Sequence, residues 1–208
     1  MKANDTPLPV TAEEGLKRLS DGNARFVNGT ARFPTIQKDV LAALAHEQHP
    51  YATIIGCSDS RVPPELLFDA NFGELFVIRV AGNVLSPEVA GSMQYAGMHL
   101  KTPLFVVLGH ENCGAVRAAL NTKFRNAREP SRIEILLQNI LPALGCIDEH
   151  AEPEEQAMRA VEANVRWAMK QIAESPEGRA RAAEGVYMVV GAIFEISTGR
   201  VRFLESAW

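Results

Sequence analysis

Four short runs of apolar residues mark the middle and end of this chain: Ala52-Thr53-Ile54-Ile55-Gly56, Leu75-Phe76-Val77-Ile78-Arg79-Val80, Leu104-Phe105-Val106-Val107-Leu108 and Val186-Tyr187-Met188-Val189-Val190. Runs of this length without polar alternation read as strands covered on both faces. Between them, apolar positions recur at helical spacing. Ser86-Pro87-Glu88 opens one such segment as an N-cap followed by proline in the first turn, leading through Val89, Met93 and Ala96 to Leu100. Ile133, Leu136, Leu137, Ile140 and Leu141 form a second stripe, ended by Pro142, and Ala157, Val161, Val165, Ala168 and Ile172 form a third. Buried strands alternating with helices predict an α/β fold with a central, mainly parallel β-sheet of four strands flanked by helices. The tail changes period. Ala192-Ile193-Phe194-Glu195-Ile196 and Arg200-Val201-Arg202-Phe203-Leu204 alternate faces around Thr198-Gly199, which predicts a hairpin adding an antiparallel edge strand.

The N-terminal part is helical. Thr11-Ala12-Glu13-Glu14 is a capping box, Leu16, Leu19 and Phe26 follow at helical spacing, and Asn28-Gly29 stops the segment. A second helix is expected from about Ile36 to His46, with Val40, Leu41 and Leu44 on one face and His49-Pro50 ending it. A short helix with a narrow apolar stripe gains its stability by packing on another surface. We expect residues 1–208 to form a single domain, with 1–46 as a helical arm and 47–208 as the α/β body.

Composition narrows the function. The chain is 47% apolar and 22% charged with a net charge of −4, typical of a soluble globular protein and unlike a nucleic-acid binder. The basic run Arg117, Lys123, Arg125, Arg128, Arg132 and the acidic run Glu149, Glu152, Glu154, Glu155 read as solvated faces. No apolar run approaches the roughly 18 residues of a membrane span, and the first nine residues lack the apolar core of a signal peptide. A cytoplasmic location follows, or a periplasmic one if a leader has been removed. Three cysteines form no disulfide framework. Cys146 reads as a small buried hydrophobe, and His46, His49, His99 and His150 as surface or structural residues.

The chemistry concentrates in Cys57-Ser58-Asp59-Ser60-Arg61 and His110-Glu111-Asn112-Cys113. Cys57 follows the first apolar run and His110 the third, and functional groups in open α/β sheets gather at the carboxyl ends of strands. Two thiolates and one imidazole suit zinc, and three protein ligands leave a fourth position for a water of lowered pKa. Cys57, His110 and Cys113 are therefore the expected ligands. Asp59 and Arg61, alternate residues of an extended loop, can pair bidentately. Two roles stay open for Asp59: accepting a hydrogen bond from the zinc-bound oxygen, or closing the fourth position when Arg61 lets go. Gly114, at a helix N-terminus, lets the backbone approach whatever sits on the metal.

These motifs resemble the β-class carbonic anhydrases. The likeness extends over Gly22-Asn23-Ala24-Arg25-Phe26, Gly73-Glu74-Leu75-Phe76-Val77-Ile78-Arg79, Ala81-Gly82-Asn83, Gln94-Tyr95-Ala96 and the final hairpin. The resemblance implies one Zn²⁺ per subunit on Cys57, His110 and Cys113, with Asp59–Arg61 as catalytic dyad. Zinc hydroxide would then attack CO₂ to give bicarbonate, which water displaces before a proton leaves to buffer. It further implies that Phe76, Ala81 and Tyr95 line the CO₂ pocket and that Gln48, nine residues before Cys57, donates to substrate. The alternative subtype carries Trp three residues before that cysteine, where this chain has Ile54, so the open-site subtype is expected. Family members are dimers, often tetramers, whose N-terminal helices embrace the partner, and the Leu16/Leu19/Phe26 stripe fits that. Two other readings use the same scaffold: hydrolysis of carbonyl sulfide or carbon disulfide, and a non-catalytic zinc-binding regulatory module.

Overall fold

A computed structural model describes residues 10–32, 38–185 and 187–206. In chain order the elements are α1 (Ala12–Val27), α2 (Lys38–Leu44), β1 (Ala52–Gly56), α3 (Pro64–Leu67), β2 (Leu75–Arg79), α4 (Pro87–Tyr95), β3 (Leu104–His110), α5 (Gly114–Arg125), α6 (Ser131–Leu137), α7 (Pro153–Glu174), α8 (Pro176–Glu184), β4 (Met188–Glu195) and β5 (Arg200–Ser206). Tight helical turns cover Ala81–Asn83 and Leu141–Cys146, and a widened one Ala96–Leu100.

The five strands run in the order β2-β1-β3-β4-β5, the first four parallel and β5 antiparallel to β4. β1 and β3 are buried along their whole length, as their unbroken apolar runs predict. β2 departs from that expectation. It is an edge strand with one neighbour, and its residues are half-buried or exposed. The tail departs too: Met188–Val190 and the first hairpin arm are one continuous strand, broken in appearance only by Gly191. A Cβ there would lie 2.6 Å from Met169 Sδ and 2.9 Å from Val165 Cγ1, so the glycine admits α7 onto the sheet. A bulge between Val190 and Ala192 takes up the local irregularity. Val186, Ile36 and the segment 1–9 lie outside the described residues.

Two apolar layers cover the sheet. One joins Phe105, Val107, Val116, Val161, Val165 and Ile172 on the face under α5 and α7; the other joins Leu19, Ile54, Phe68, Leu104 and Val106 under α1 and α3. The expected helix through Leu141 stops at Leu137, where backbone bonds tighten and Pro142 opens the next turn.

Within the chain, Leu19 of the α1 stripe is fully buried, while Leu16 and Phe26 pack partly buried against the same core. Thr11 Oγ1 caps α1 by accepting from Glu14 N–H at 3.2 Å. Leu19 is fully buried against the chain's own core. Gly22 allows the approach, because a Cβ there would sit 1.8 Å from the Phe68 carbonyl oxygen. Asn23 then ties α1 to two other segments, donating to Leu67 O (3.1 Å) and Gly199 O (3.0 Å) and accepting from Val201 N–H (2.8 Å).

Candidate metal centre

Strand order reverses between β1 and β3, and the crevice at such a switch point receives the loops leaving both carboxyl ends. Gly56 pairs with Leu108, which sets Cys57 beside the end of β3. His110 is the last residue of β3, fully buried, and Cys113 precedes α5 at its N-terminus. The chain places Cys57 Sγ 4.0 Å from Cys113 Sγ, and the ligand atoms of Cys57, His110 and Cys113 all lie within 4.8 Å of one another.

Two local features suit this cluster to a soft divalent ion. His110 Nδ1–H donates to the Glu111 carbonyl oxygen at 2.8 Å, which leaves Nε2 unprotonated, and Nε2 is buried with no hydrogen-bond partner. A buried imidazole nitrogen without a partner carries a desolvation cost that coordination removes. The sulfurs are prepared as well. Cys57 Sγ accepts from Gly82 N–H at 3.3 Å and Asp59 N–H at 3.4 Å. Donation from Cys113, helped by these amides, holds Cys57 as thiolate against the opposing effect of burial, while the same contact and burial keep the Cys113 proton on. A divalent cation stabilises both thiolates and releases that remaining proton. The donor set fits zinc.

Asp59 and Arg61 pair as expected. Arg61 Nε donates to Oδ1 at 2.9 Å, Nη2 to Oδ2 at 2.7 Å, and the Arg61 backbone N–H to Oδ1 at 2.9 Å. The guanidinium, outweighing a smaller penalty from burial, holds the Asp59 carboxyl well below the usual carboxylate range. Its Oδ2 lies 3.9 Å from His110 Nε2. The carboxylate therefore faces the place an ion would occupy.

The remaining expected site residues divide. Gly114 begins α5, and a Cβ there would meet nothing within 4 Å, so the space above it is open. Phe76 and Tyr95 stack with ring centroids 6.2 Å apart, Tyr95 remains half exposed, and Ala81 sits in the turn after β2. Gln48 is exposed in the loop before β1, and no hydrogen bond ties it to the site among the described residues. Cys146 is exposed, not buried, because it ends a turn at the surface. His46, His49, His99 and His150 are exposed as expected.

Sequence reasoning passed over several supports. Arg79 bonds the carbonyls of Cys57 (3.0 Å) and Asp59 (2.6 Å), bracing the loop between them. Glu111 accepts from Ser197 N–H and Oγ at 3.3 Å each, tying the metal loop to the hairpin. Asn164 donates to Gly82 O at 2.9 Å. Its signal was visible: three residues after Val161, it is a polar residue on the buried face of α7.

A cradle of two thiolates and one imidazole at the switch point of an α/β sheet defines the class of zinc enzymes that keep an open coordination position. A carbonic anhydrase family model matches residues 52–201. The chain is 38% identical over 194 residues to carbonic anhydrase 2 of Mycobacterium tuberculosis, covering 92% of this chain and 91% of that protein. It is 36% identical over 193 residues to the carbonic anhydrase of Mycolicibacterium smegmatis, covering 93% and 92%. Its fold superposes with a TM-score of 0.75 and 27% identity on one of two tetrameric β-carbonic anhydrases of the ascomycete Sordaria macrospora, covering 93% and 98% of the two chains. The chain belongs to the carbonic anhydrase family, and its solved neighbours are of the β-class.

Proposed function

We propose that this chain interconverts carbon dioxide and bicarbonate with the Asp59–Arg61 pair acting beside one zinc ion on Cys57, His110 and Cys113. The observation that carries the reading is the convergence of those three ligand atoms within 4.8 Å, with an ionised Asp59 facing them. Bound there, zinc supplies a Lewis acid with one free position that acidifies a water for attack on CO₂. Asp59, held ionised, only accepts hydrogen bonds. It takes the hydrogen bond of the attacking water and aims that water's lone pair at the substrate carbon. Arg61 fixes both carboxylate oxygens, so Asp59 stays turned toward the nucleophile and does not swing in as a fourth ligand. The open space above Gly114 gives bicarbonate an exit.

The open-site subtype follows from the pairing of Asp59 with Arg61 and from Ile54 standing where the other subtype has Trp. Phe76, Ala81 and Tyr95 form an apolar wall for CO₂, a molecule that offers little to hydrogen-bond. Half-exposed Tyr95 and edge strand β2 leave that wall open in one chain. A homodimer would close it and bring Gln48 to donate to substrate, and a tetramer is a further stage of assembly. No described helix is long and apolar enough to cross a membrane, and reduced thiolates at the site favour the cytoplasm. A regulatory module without catalysis would tolerate a lost ligand or a broken pair, yet all five residues are in place.

The test is Asp59→Asn. It should retain one zinc per chain and lose about 100-fold or more of the CO₂ hydration rate in stopped-flow; an undiminished rate removes Asp59 from the mechanism.

A further inference from the structure

Helix α7 reaches the metal centre from the opposite side of the sheet's apolar layer, and glycines set how closely. A Cβ on Gly109 would lie 2.5 Å from Val165 Cγ2 and 3.3 Å from Val161 Cγ1, one residue before ligand His110. Only glycine permits that contact, so α7 is pressed against the end of β3. The buried face of α7 there is Ala160, Val161, Val165, Ala168 and Met169, with one polar member, Asn164, 2% exposed. A buried amide in such surroundings costs free energy unless it is bonded, and its replacement by an aliphatic residue would satisfy the packing equally well.

Asn164 spends its donor on a single carbonyl. Its Nδ2 bonds Gly82 O at 2.9 Å, and the N–H of the same Gly82 points at Cys57 Sγ at 3.3 Å. Gly82 needs that support. It sits at φ 69°, in the left-handed region, and a Cβ would meet Ile140 Cδ1 at 2.8 Å and Ala115 Cβ at 3.0 Å. A residue with this backbone freedom does not hold its own amide on a sulfur.

We propose that Asn164 is a positioning residue of the metal centre, fixing Gly82 so that its amide stays on Cys57 Sγ and orients that sulfur toward zinc. This rests on the zinc assignment to Cys57, His110 and Cys113. An amide donating to a thiolate fixes which lone pair the sulfur presents, beside Cys113 Sγ 4.0 Å away. Release of Gly82 leaves Cys57 attached to the chain and free to rotate. The result is a ligand that lets go of its ion sooner.

Asn164→Leu keeps the side chain's branching and heavy-atom count and removes the donor. On the zinc-loaded protein we measure the rate of zinc release to a chelator, and on the cobalt-substituted protein the sulfur-to-cobalt charge-transfer band. Ile172→Val, on the same helix face and away from the site, serves as the control for a general loss of stability. Zinc release about 10–100-fold faster in Asn164→Leu, with a displaced cobalt band, is expected; the control should change neither. If Asn164→Leu fails to fold, Asn164→Ser, too short to reach the carbonyl, is read in the same way. Release and band equal to wild type would overturn the proposal, as would an equal change in Ile172→Val. Wild-type protein that holds no zinc at all would instead overturn the metal assignment itself.

Discussion

Asp59 and Arg61 bind each other through two side-chain hydrogen bonds and one backbone hydrogen bond, and this geometry decides which protonation state the site uses. The carboxyl stays ionised throughout the ordinary pH range, so an acid limb in the activity near neutral pH would not report Asp59. The ligands are equally asymmetric: His110 Nε2 has no partner within the described chain, whereas Cys57 has two amides on it. Cys113 sits at the N-terminus of α5 with its proton held on, and the ion displaces that proton. Cys113→Ala should leave a folded chain with zinc occupancy reduced to a small fraction of one equivalent by elemental analysis. Full occupancy would show that another group supplies the third ligand.

Among the elements, α1 shows how a polar network docks a helix onto the body of the chain. Its C-terminal end is held by Asp69, a residue at φ 45° whose side chain is 2% exposed. Arg25 Nε lies 2.5 Å from Asp69 Oδ2, and Arg32 donates from its backbone N–H to Oδ1 at 2.8 Å. Burial opposes the charge on Asp69, but these donors outweigh it and hold its pKa below the usual value. A carboxyl with a depressed folded-state pKa adds stability above its unfolded value near 4, and that stability is lost as pH falls below it. Asp69→Asn should therefore destabilise by about 2 kcal/mol at pH 7, and the deficit should shrink between about pH 4 and pH 2 in denaturant titrations. A deficit independent of pH would assign the loss to packing alone.

The strands and helices were legible wherever one period ran unbroken, as in β1, β3 and α7. They were misread where a glycine serves packing instead of ending an element. Gly191 looked like a strand boundary but makes room for α7. The stripe read through Ile172 also left α8 unmarked, which Ser175 caps by accepting from Gly178 N–H at 2.9 Å. The three ligands and the Asp–Arg pair could be read because each sits at a strand end in the sequence itself. Arg79 and Glu111 could not, because their roles are contacts across 20 to 86 residues.

For the molecule as a whole, the sheet joins two kinds of surface. The β1–β3 switch point is lined with ligands, whereas the β2 edge is half exposed and lies in a chain that also exposes Val40, Leu41, Phe72 and Tyr95 at 41%, 46%, 50% and 48%. On α1, Leu19 is buried within the chain, while Leu16 and Phe26 remain partly buried. Sedimentation at micromolar concentration should give at least a dimer, and Tyr95→Glu should shift it toward monomer with a loss of hydration activity. A wild-type monomer at full activity would contradict the shared pocket. Zinc held by Cys57, His110 and Cys113 would tie the loops after β1 and β3 to the start of α5, so its removal should also lower stability, by about 4 kcal/mol where the free ion stands at 1,000 times its Kd.

The most direct test is CO₂ hydration by the purified, reduced protein, followed by stopped-flow before and after stripping and reloading with zinc. Activity that disappears with the metal and returns in proportion to zinc added, saturating at one ion per chain, is the predicted result. A chain that takes up no zinc, or takes it up and leaves CO₂ unhydrated, would contradict the account.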